Sequence, residues 1–580
     1  MISEQRLAGF SDVVVERDVP AEMRDGTILR ADVYRPSSGG PFPAILMRLP
    51  YDKAQAQNNV TYHHPAHYAR HGYAVVVQDT RGRWRSDGEF HPFAYEAEDG
   101  HDSVEWAASL PHSNGRVGMY GFSYVGATQL QAALQRPPSL RTICPGLTGS
   151  QYYDGWAYNG GAFALAFNAS WAAYLAMDDA RKRGDDAVTQ AMNAAFLGAP
   201  SFYAHLPLNE YPPFAGSDHG RYFFDWLAHP SYDDHWRRWS VDEDYSRIDV
   251  PAMHVGGWYD VFLGGTVKNF EGLRREARSE GSRAAQKLLV GPWYHLPWSR
   301  LTGASDFGPE ARNVVDGWQL RWFDQFLRDE DTGVLDSPVT IFLMGENGWV
   351  DYGSWPPEGT EVRDYYLRSG GAANSRYGDG YLSEEPPEGE PPDLFTYDPL
   401  LPVPSAGGHS CCFPIIAPMG PADQAQVEVL NGVLVYTSAP LERDLTVAGP
   451  VGVTLHAATT APDTDFTAKL CDVSPEGRSI NVQEGIVRAR YRESLSDPSP
   501  ITPDEVYEYG IDLGPTAYVF RAGHSLRVQV SSSDFPQWDR NMNTGGELGT
   551  EGAASARVAV QTVLHDARHR SGISLPVVPG

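Results

Sequence analysis

Between residues 42 and 144 the chain alternates short apolar runs with stretches whose apolar residues recur every three or four positions. The runs at 42–49, 73–78, 117–120 and 141–144 predict buried strands, and the stretches at 63–70, 98–110 and 127–136 predict helices. Ahead of them, Val13-Val14-Val15 and residues 27–34 predict an antiparallel hairpin across the Asp25-Gly26 turn. Strands that alternate with helices imply a parallel sheet covered on both faces. From about 151 to 244 the alternation lapses into helical spacing, with Phe163, Phe167, Trp171, Tyr174 and Met177 in an aromatic stripe and 191–197 continuing the trend. Such a stripe is ordinarily core, and it also suits a helical cap over a pocket. Strands are predicted again at 251–258 and 287–290, with a closing helix at 314–327.

Beyond about residue 356 the texture changes. Pro and Gly cluster through 383–402 as linker and loops, and short alternating runs follow at 427–436, 451–457, 466–473, 486–491 and 525–531. Evenly spaced short strands between turn signals predict an all-β sandwich or jelly roll.

The candidate chemistry lies between the strand at 117–120 and the helix at 127–136, where Gly121-Phe-Ser123-Tyr-Val-Gly126 forms the junction. A strand, a sharp turn and a helix with Ser at the apex is the geometry of a nucleophile elbow. Glycines flank such a turn because neighbouring Cβ atoms would clash, and the helix dipole favours a negative charge developing there. In the usual pattern, G-x-S-x-G, a glycine stands where this chain has Val125, and here Gly126 comes one place later. A Ser between glycines also occurs in ordinary turns, so its partners must decide.

A Ser hydroxyl needs an imidazole base, and the imidazole needs a carboxylate to hold its tautomer. In α/β-hydrolases these follow in the order Asp then His, on loops after later strands. Asp260 and His295 have that order, each just past the carboxyl end of a predicted strand and each marked by glycine, Gly256-Gly257 and Gly291. With 18 histidines and 74 acidic residues in the chain, a matching pair is common, so placement at two strand ends carries the assignment. The plain alternatives are a helix cap for Asp260 and a surface loop for His295. An acyl-transfer site also needs oxyanion donors: the Tyr124 N–H is one by geometry, and the Tyr51 phenol is a second candidate beside the alternative of a core Tyr.

Composition narrows the class. At 580 residues the chain has room for two to four domains, and a net charge of -28 argues against nucleic acid, which basic patches bind. No apolar run is long enough to span a bilayer, and the first 24 residues have neither the basic nor the apolar region of a secretory signal. Four cysteines are too few for a disulfide framework: Cys411 and Cys412 are adjacent and poorly placed to bond each other, and Cys144 reads as core. A reduced, cytoplasmic protein is expected. His63, His67 and His71, four apart with His64 adjacent, could share a helix face as metal ligands, but no H-E-x-x-H accompanies them and Pro65 disturbs the helix. No metal and no cofactor are expected.

Taken together, Arg48-x-Pro-Tyr-Asp-Lys53, Asp79-x-Arg-Gly, Gly121-x-Ser-Tyr-x-Gly, Gly257-Trp-Tyr-Asp and Gly291-Pro-Trp-x-His resemble the cocaine esterase and X-Pro dipeptidyl-peptidase (S15) superfamily of α/β-hydrolases. Asp534-Phe-Pro-x-Trp-Asp-Arg-Asn-x-Asn-Thr-Gly resembles that group's C-terminal jelly-roll signature, so the likeness covers nearly the whole chain. The displaced glycine is the group's own form of the elbow. The resemblance implies an α/β-hydrolase sheet in two parts, 1–149 and 247–355, an inserted helical cap at 150–246, and an all-β jelly-roll domain at 356–580. It makes Ser123 the nucleophile, His295 the base, Asp260 its orienter, and Tyr51 an oxyanion donor beside the Tyr124 amide. It also places Trp156, Trp171 and Phe262 around the acyl group.

One departure bears on substrate. The related α-amino-acid ester hydrolases carry acidic residues soon after the triad Asp to bind an ammonium, and here those places hold Phe262 and Leu263. Desolvating an ammonium against them would cost several kcal/mol. A serine hydrolase of neutral or aromatic carboxylic esters is therefore expected, acting through an acyl-enzyme on a small-molecule ester or amide. The alternatives are an X-Pro dipeptidyl-peptidase, a β-lactam-type acylase or α-amino-acid ester hydrolase, and, outside the enzymes, a carbohydrate-binding jelly roll with an inert hydrolase domain. No nucleic-acid or membrane partner is expected, and a homodimer is compatible with the sequence.

Overall fold

In a computed structural model of the chain, which describes residues 4–7, 10–55, 62–296, 298–412, 417 and 419–579, nearly all strands fall into two eleven-stranded sheets. The first sheet runs in space through Glu4–Leu7, Phe10–Glu22, Ile28–Pro36, Ala74–Asp79, Phe42–Leu49, Ser113–Phe122, Leu140–Gly146, Ala252–Tyr259, Gln286–Tyr294, Val339–Leu343 and Gly348–Tyr352. From Ala74–Asp79 to Val339–Leu343 the pairings are parallel; outside that block they are antiparallel. Parallel strands covered on both faces lose their polar face, which is why Ala74–Asp79 and Ala252–Tyr259 are buried at every position. Along Phe42–Leu49, Ile45 and Met47 point to the core shared with Trp322, Phe323 and Leu327 of the helix Val315–Arg328. Ala44 and Leu46 point the other way, to Val104 and Leu130 of the helices Glu96–Ser109 and Tyr124–Leu134.

Parts of this sheet domain go beyond the sequence expectations. The hairpin Val339–Leu343/Gly348–Tyr352 closes one edge, and the helix Leu263–Glu276 covers part of a face. That helix opens on Leu263-Gly264-Gly265, and glycines weaken any helical signal by about 1 kcal/mol each.

The region predicted as helical holds Leu165–Arg183, Asp186–Leu197 and Tyr222–Ala228 among other short helices, with one small hairpin, Tyr158–Asn159/Ala162–Phe163. Phe163, Phe167, Trp171 and Met177 of the stripe are buried in one aromatic cluster, and Tyr174 is packed against it. The second sheet is built from antiparallel pairs, apart from the parallel contact of Tyr381–Ser383 with Leu434–Thr437. Residues 427–430 form a turn, so the run predicted at 427–436 is a strand only over Leu434–Thr437. Asp393–Tyr397 is a strand inside the stretch read as linker, and Tyr507–Phe520, the longest partner of Leu445–Thr459, carried no clear signal because Gly510, Gly514 and Pro515 interrupt its alternation.

A buried cation helps the second sheet hold the helical region. Arg488 binds Asp465 at 2.8 and 2.9 Å and Asp539 at 2.9 Å, and Asp539 in turn accepts the Phe163 N–H at 2.8 Å. Arg488→Met should destabilise the protein by about 3–5 kcal/mol, because it leaves two desolvated carboxylates facing each other. A lowered urea midpoint checks this.

Candidate active site

Ser123 joins Ser113–Phe122 to Tyr124–Leu134 at φ 64° and ψ -134°, a backbone conformation that costs free energy in a non-glycine residue. Its N–H donates to the Gly146 and Leu147 carbonyls at 2.9 and 3.1 Å, which holds the turn on the neighbouring strand. A Cβ at Gly121 would stand 2.2 Å from Val125 Cγ1, and one at Gly126 would stand 2.7 Å from the Gly146 carbonyl. The displaced glycine thus has a packing reason: the Val125 side chain fills the hollow over Gly121, and the helix meets the next strand at Gly126.

Asp260 follows Ala252–Tyr259 and His295 follows Gln286–Tyr294, which are parallel neighbours, so both residues emerge at the sheet edge where Ser123 stands. His295 Nδ1 lies 2.7 Å from Asp260 Oδ1, and His295 Nε2 lies 2.9 Å from Ser123 Oγ. A carboxylate only accepts, so Nδ1 carries the hydrogen and Nε2 is left to accept the Ser123 hydroxyl proton. All three residues are buried, and the Phe262 ring meets the His295 ring edge-on at 5.1 Å.

Tyr51 follows the strand Phe42–Leu49. Its hydroxyl oxygen accepts the Trp171 indole N–H at 3.0 Å, which orients the phenol and leaves its own hydrogen for the cavity it lines. Burial pushes the phenol well above its ordinary pKa, so it stays a donor. Tyr124 is the first residue of its helix, so its N–H has no acceptor within that helix. Its side chain points away into the core, donating to Glu96 at 2.9 Å and accepting the Phe93 N–H at 2.9 Å. Arg48 completes that buried set at 2.8 Å from Glu96, which explains an arginine where the strand pattern asks for an apolar residue.

The Ser123 hydroxyl opens into a cavity of about 430 Å³. Its walls include Tyr51, Phe167, Trp171, Phe196, Cys411 and Cys412, and among the described residues no Asp, Glu, Lys or Arg lines it. Of the three aromatics expected around an acyl group, Trp171 lines the cavity. Trp156 and Phe262 do not: they stack on each other at 4.1 Å, fully buried behind it. Sequence reasoning missed Cys411 and Cys412, because nothing along the chain ties residue 411 to residue 123.

His63, His67 and His71 do line up beside the helix Pro65–Arg70, their rings tilted with centroids 4.3 and 4.6 Å apart, while His64 caps that helix by accepting the Ala66 N–H at 3.0 Å. Among the described residues no group of three or more His, Cys, Asp or Glu side chains could hold a metal ion, and no helix is long and apolar enough to cross a membrane.

Residues 25–297 match the X-Pro dipeptidyl-peptidase (S15) family, and residues 332–574 match the X-Pro dipeptidyl-peptidase C-terminal non-catalytic domain. The cocaine esterase of Rhodococcus sp. (strain MB1 Bresler) is 37% identical over 97% of this chain and 98% of that one. Among solved structures, an aminopeptidase from a marine sediment Thaumarchaeota archaeon superposes with a TM-score of 0.81 at 25% identity, covering 99% of this chain and 98% of that one. An α-amino acid ester hydrolase follows with a TM-score of 0.78 at 25% identity, covering 98% and 97%. With these matches spanning both sheets and the edge where Ser123, His295 and Asp260 meet, the chain belongs to the X-Pro dipeptidyl-peptidase (S15) family of α/β-hydrolases, beside the cocaine esterases.

Proposed function

We propose that the protein is a serine hydrolase of carboxylic esters whose acyl group is neutral and of aromatic size. The observation that carries this is the hydrogen-bonded line Ser123–His295–Asp260 ending in a cavity with aromatic walls and, among the described residues, no Asp, Glu, Lys or Arg in its lining. Ser123 Oγ attacks the ester carbonyl while His295 Nε2 takes its proton, and Asp260 stabilises the imidazolium through Nδ1–H. The oxyanion receives the Tyr124 N–H and the Tyr51 O–H. The imidazolium then protonates the leaving alcohol, the C–O bond breaks, and the acyl group remains on Ser123. Water, deprotonated by the same imidazole, attacks the acyl-enzyme and frees the acid and Ser123.

The cavity also argues on charge. An α-amino ester or a peptide with a free N-terminus brings an ammonium, and no carboxylate among the described lining residues repays its desolvation. A hydrocinnamate p-nitrophenyl ester should therefore exceed the matching phenylalanine ester in kcat/KM by about tenfold or more, and X-Pro anilides should be poorer still. Preference for the ammonium-bearing substrates would overturn the substrate assignment, and a Ser123 that a fluorophosphonate fails to label would overturn the hydrolase. Four free cysteines support a reducing, cytoplasmic setting.

A further inference from the structure

The loop that carries Cys411 and Cys412 to the cavity belongs to the C-terminal β-domain, and one side chain ties it to the hydrolase sheet. His409 Nδ1 lies 2.7 Å from Glu484 Oε1, on the strand Ser479–Arg488. Its Nε2 lies 2.8 Å from the carbonyl oxygen of Trp258, on the strand Ala252–Tyr259. Both partners are acceptors: Glu484 Oε1 also receives the His409 N–H at 2.6 Å and the Gln537 amide at 3.0 Å, and a carbonyl has nothing to donate. Each ring nitrogen must then carry a hydrogen, so the ring is an imidazolium bridging the two sheets. Two residues beyond Trp258 the chain reaches Asp260, and two and three residues beyond His409 it reaches Cys411 and Cys412.

We propose that His409 is a positioning residue of the esterase site, through which the β-domain holds the Cys411–Cys412 wall of the acyl cavity against the strand that carries Asp260. The charges around it agree. Burial opposes the imidazolium, but the Glu484 carboxylate, the Trp258 carbonyl and Asp260 together raise its pKa above the ordinary imidazole value. Burial likewise opposes the Glu484 charge, and His409, Lys469 and Gln537 overcome it and hold that carboxyl at about 2. Lys469 is itself paired with Asp534 at 3.2 Å, and the Tyr259 ring stacks on His409 at 5.6 Å, so the bridge sits in a filled, charge-balanced site. Cys411 and Cys412 line the same cavity as Ser123, so the bridge should matter more for acyl groups large enough to reach that wall than for small ones. This inference rests on the hydrolase function proposed above.

Two substitutions separate the halves of the bridge. His409→Asn keeps a donor near Glu484 and loses the reach to Trp258; His409→Gln returns an N–H near the position of Nε2. In the full-length protein, His409→Asn should raise KM for p-nitrophenyl benzoate about tenfold, the worth of one charge-assisted hydrogen bond, with a smaller rise for the acetate ester. His409→Gln should recover most of that loss. In parallel, 5,5′-dithiobis(2-nitrobenzoate) should label Cys411 and Cys412 about tenfold faster in His409→Asn than in wild type, with the buried Cys144 and Cys471 as internal controls. Glu484→Gln, which removes the charge and keeps an acceptor, should move labelling the same way by less, and it serves if the Asn variant does not fold. Equal KM changes for both esters, unchanged thiol labelling, or a Gln variant as impaired as the Asn variant would overturn the proposal. The thiol measurement is repeated in Ser123→Ala, so an inactive wild type would refute the hydrolase function while labelling still decides the role of His409.

Discussion

Ser123→Ala should lower kcat on p-nitrophenyl benzoate by about 10⁵-fold or more, with circular dichroism and melting temperature unchanged. The size follows from the geometry. The imidazole of His295 is 2.9 Å from the Ser123 hydroxyl, so removing that oxygen leaves binding and oxyanion donors with no acyl acceptor. His295→Ala should fall nearly as far, and the double substitution no further than the larger single loss, because the two side chains act in one step. Asp260→Asn should cost about 10⁴-fold: Asp260 lies 2.7 Å from Nδ1, and an amide there no longer fixes the tautomer that leaves Nε2 free to accept. A Ser123→Ala enzyme within tenfold of wild type on the same ester would remove the acyl-enzyme route altogether.

Tyr51→Phe is expected to cut kcat by about 10²–10³-fold with little change in KM. The phenol has no reason to bind the ground-state ester strongly, and its hydrogen bond gains value only when the carbonyl oxygen becomes an alkoxide. Trp171→Phe should give a weaker version of the same defect, since it removes the indole N–H that orients the Tyr51 hydroxyl at 3.0 Å and leaves the phenol in place. Single-turnover acylation rates distinguish this from packing. A core Tyr would lose stability on substitution and leave the acylation rate alone.

Much of the hydrolase sheet was legible because its strands are short, apolar throughout and separated by turn residues. The run 42–49 coincides with Phe42–Leu49, and Ser113–Phe122 and Tyr124–Leu134 flank Ser123 as the pattern at 117–136 suggested. The β-domain was less legible. Its strands vary from three residues, Tyr381–Ser383, to fifteen, Leu445–Thr459, and alternation over three residues carries no signal. The helix Leu263–Glu276 was hidden by its own first turn, whose paired glycines argue against a helix that the sheet behind it stabilises.

The candidate site divides along the same line. Ser123, Asp260 and His295 could be named in advance because each ends a strand, and in a parallel sheet the carboxyl ends of neighbouring strands must share an edge. The cavity facing them could not. Phe167 and Trp171 read as one helical stripe with Met177, and only the packing of Leu165–Arg183 over the sheet decided that the first two reach the cavity. The family resemblance put Trp156 and Phe262 beside Trp171, yet their rings close on each other at 4.1 Å and lie outside the cavity lining. His409 and Cys411 stand more than a hundred residues from every residue of the Ser123–His295–Asp260 line.

The sequence by itself determined the alternation of strand and helix, the strained turn at Ser123 and the order of the residues that meet it, because those depend on local spacing and on the handedness of a parallel sheet. Tertiary structure alone decided which aromatic rings face the cavity at Ser123, how Tyr51 is oriented, and that a loop of the β-domain forms a wall of that cavity. These are contacts between elements far apart along the chain, and their free energy depends on distances that no local pattern encodes.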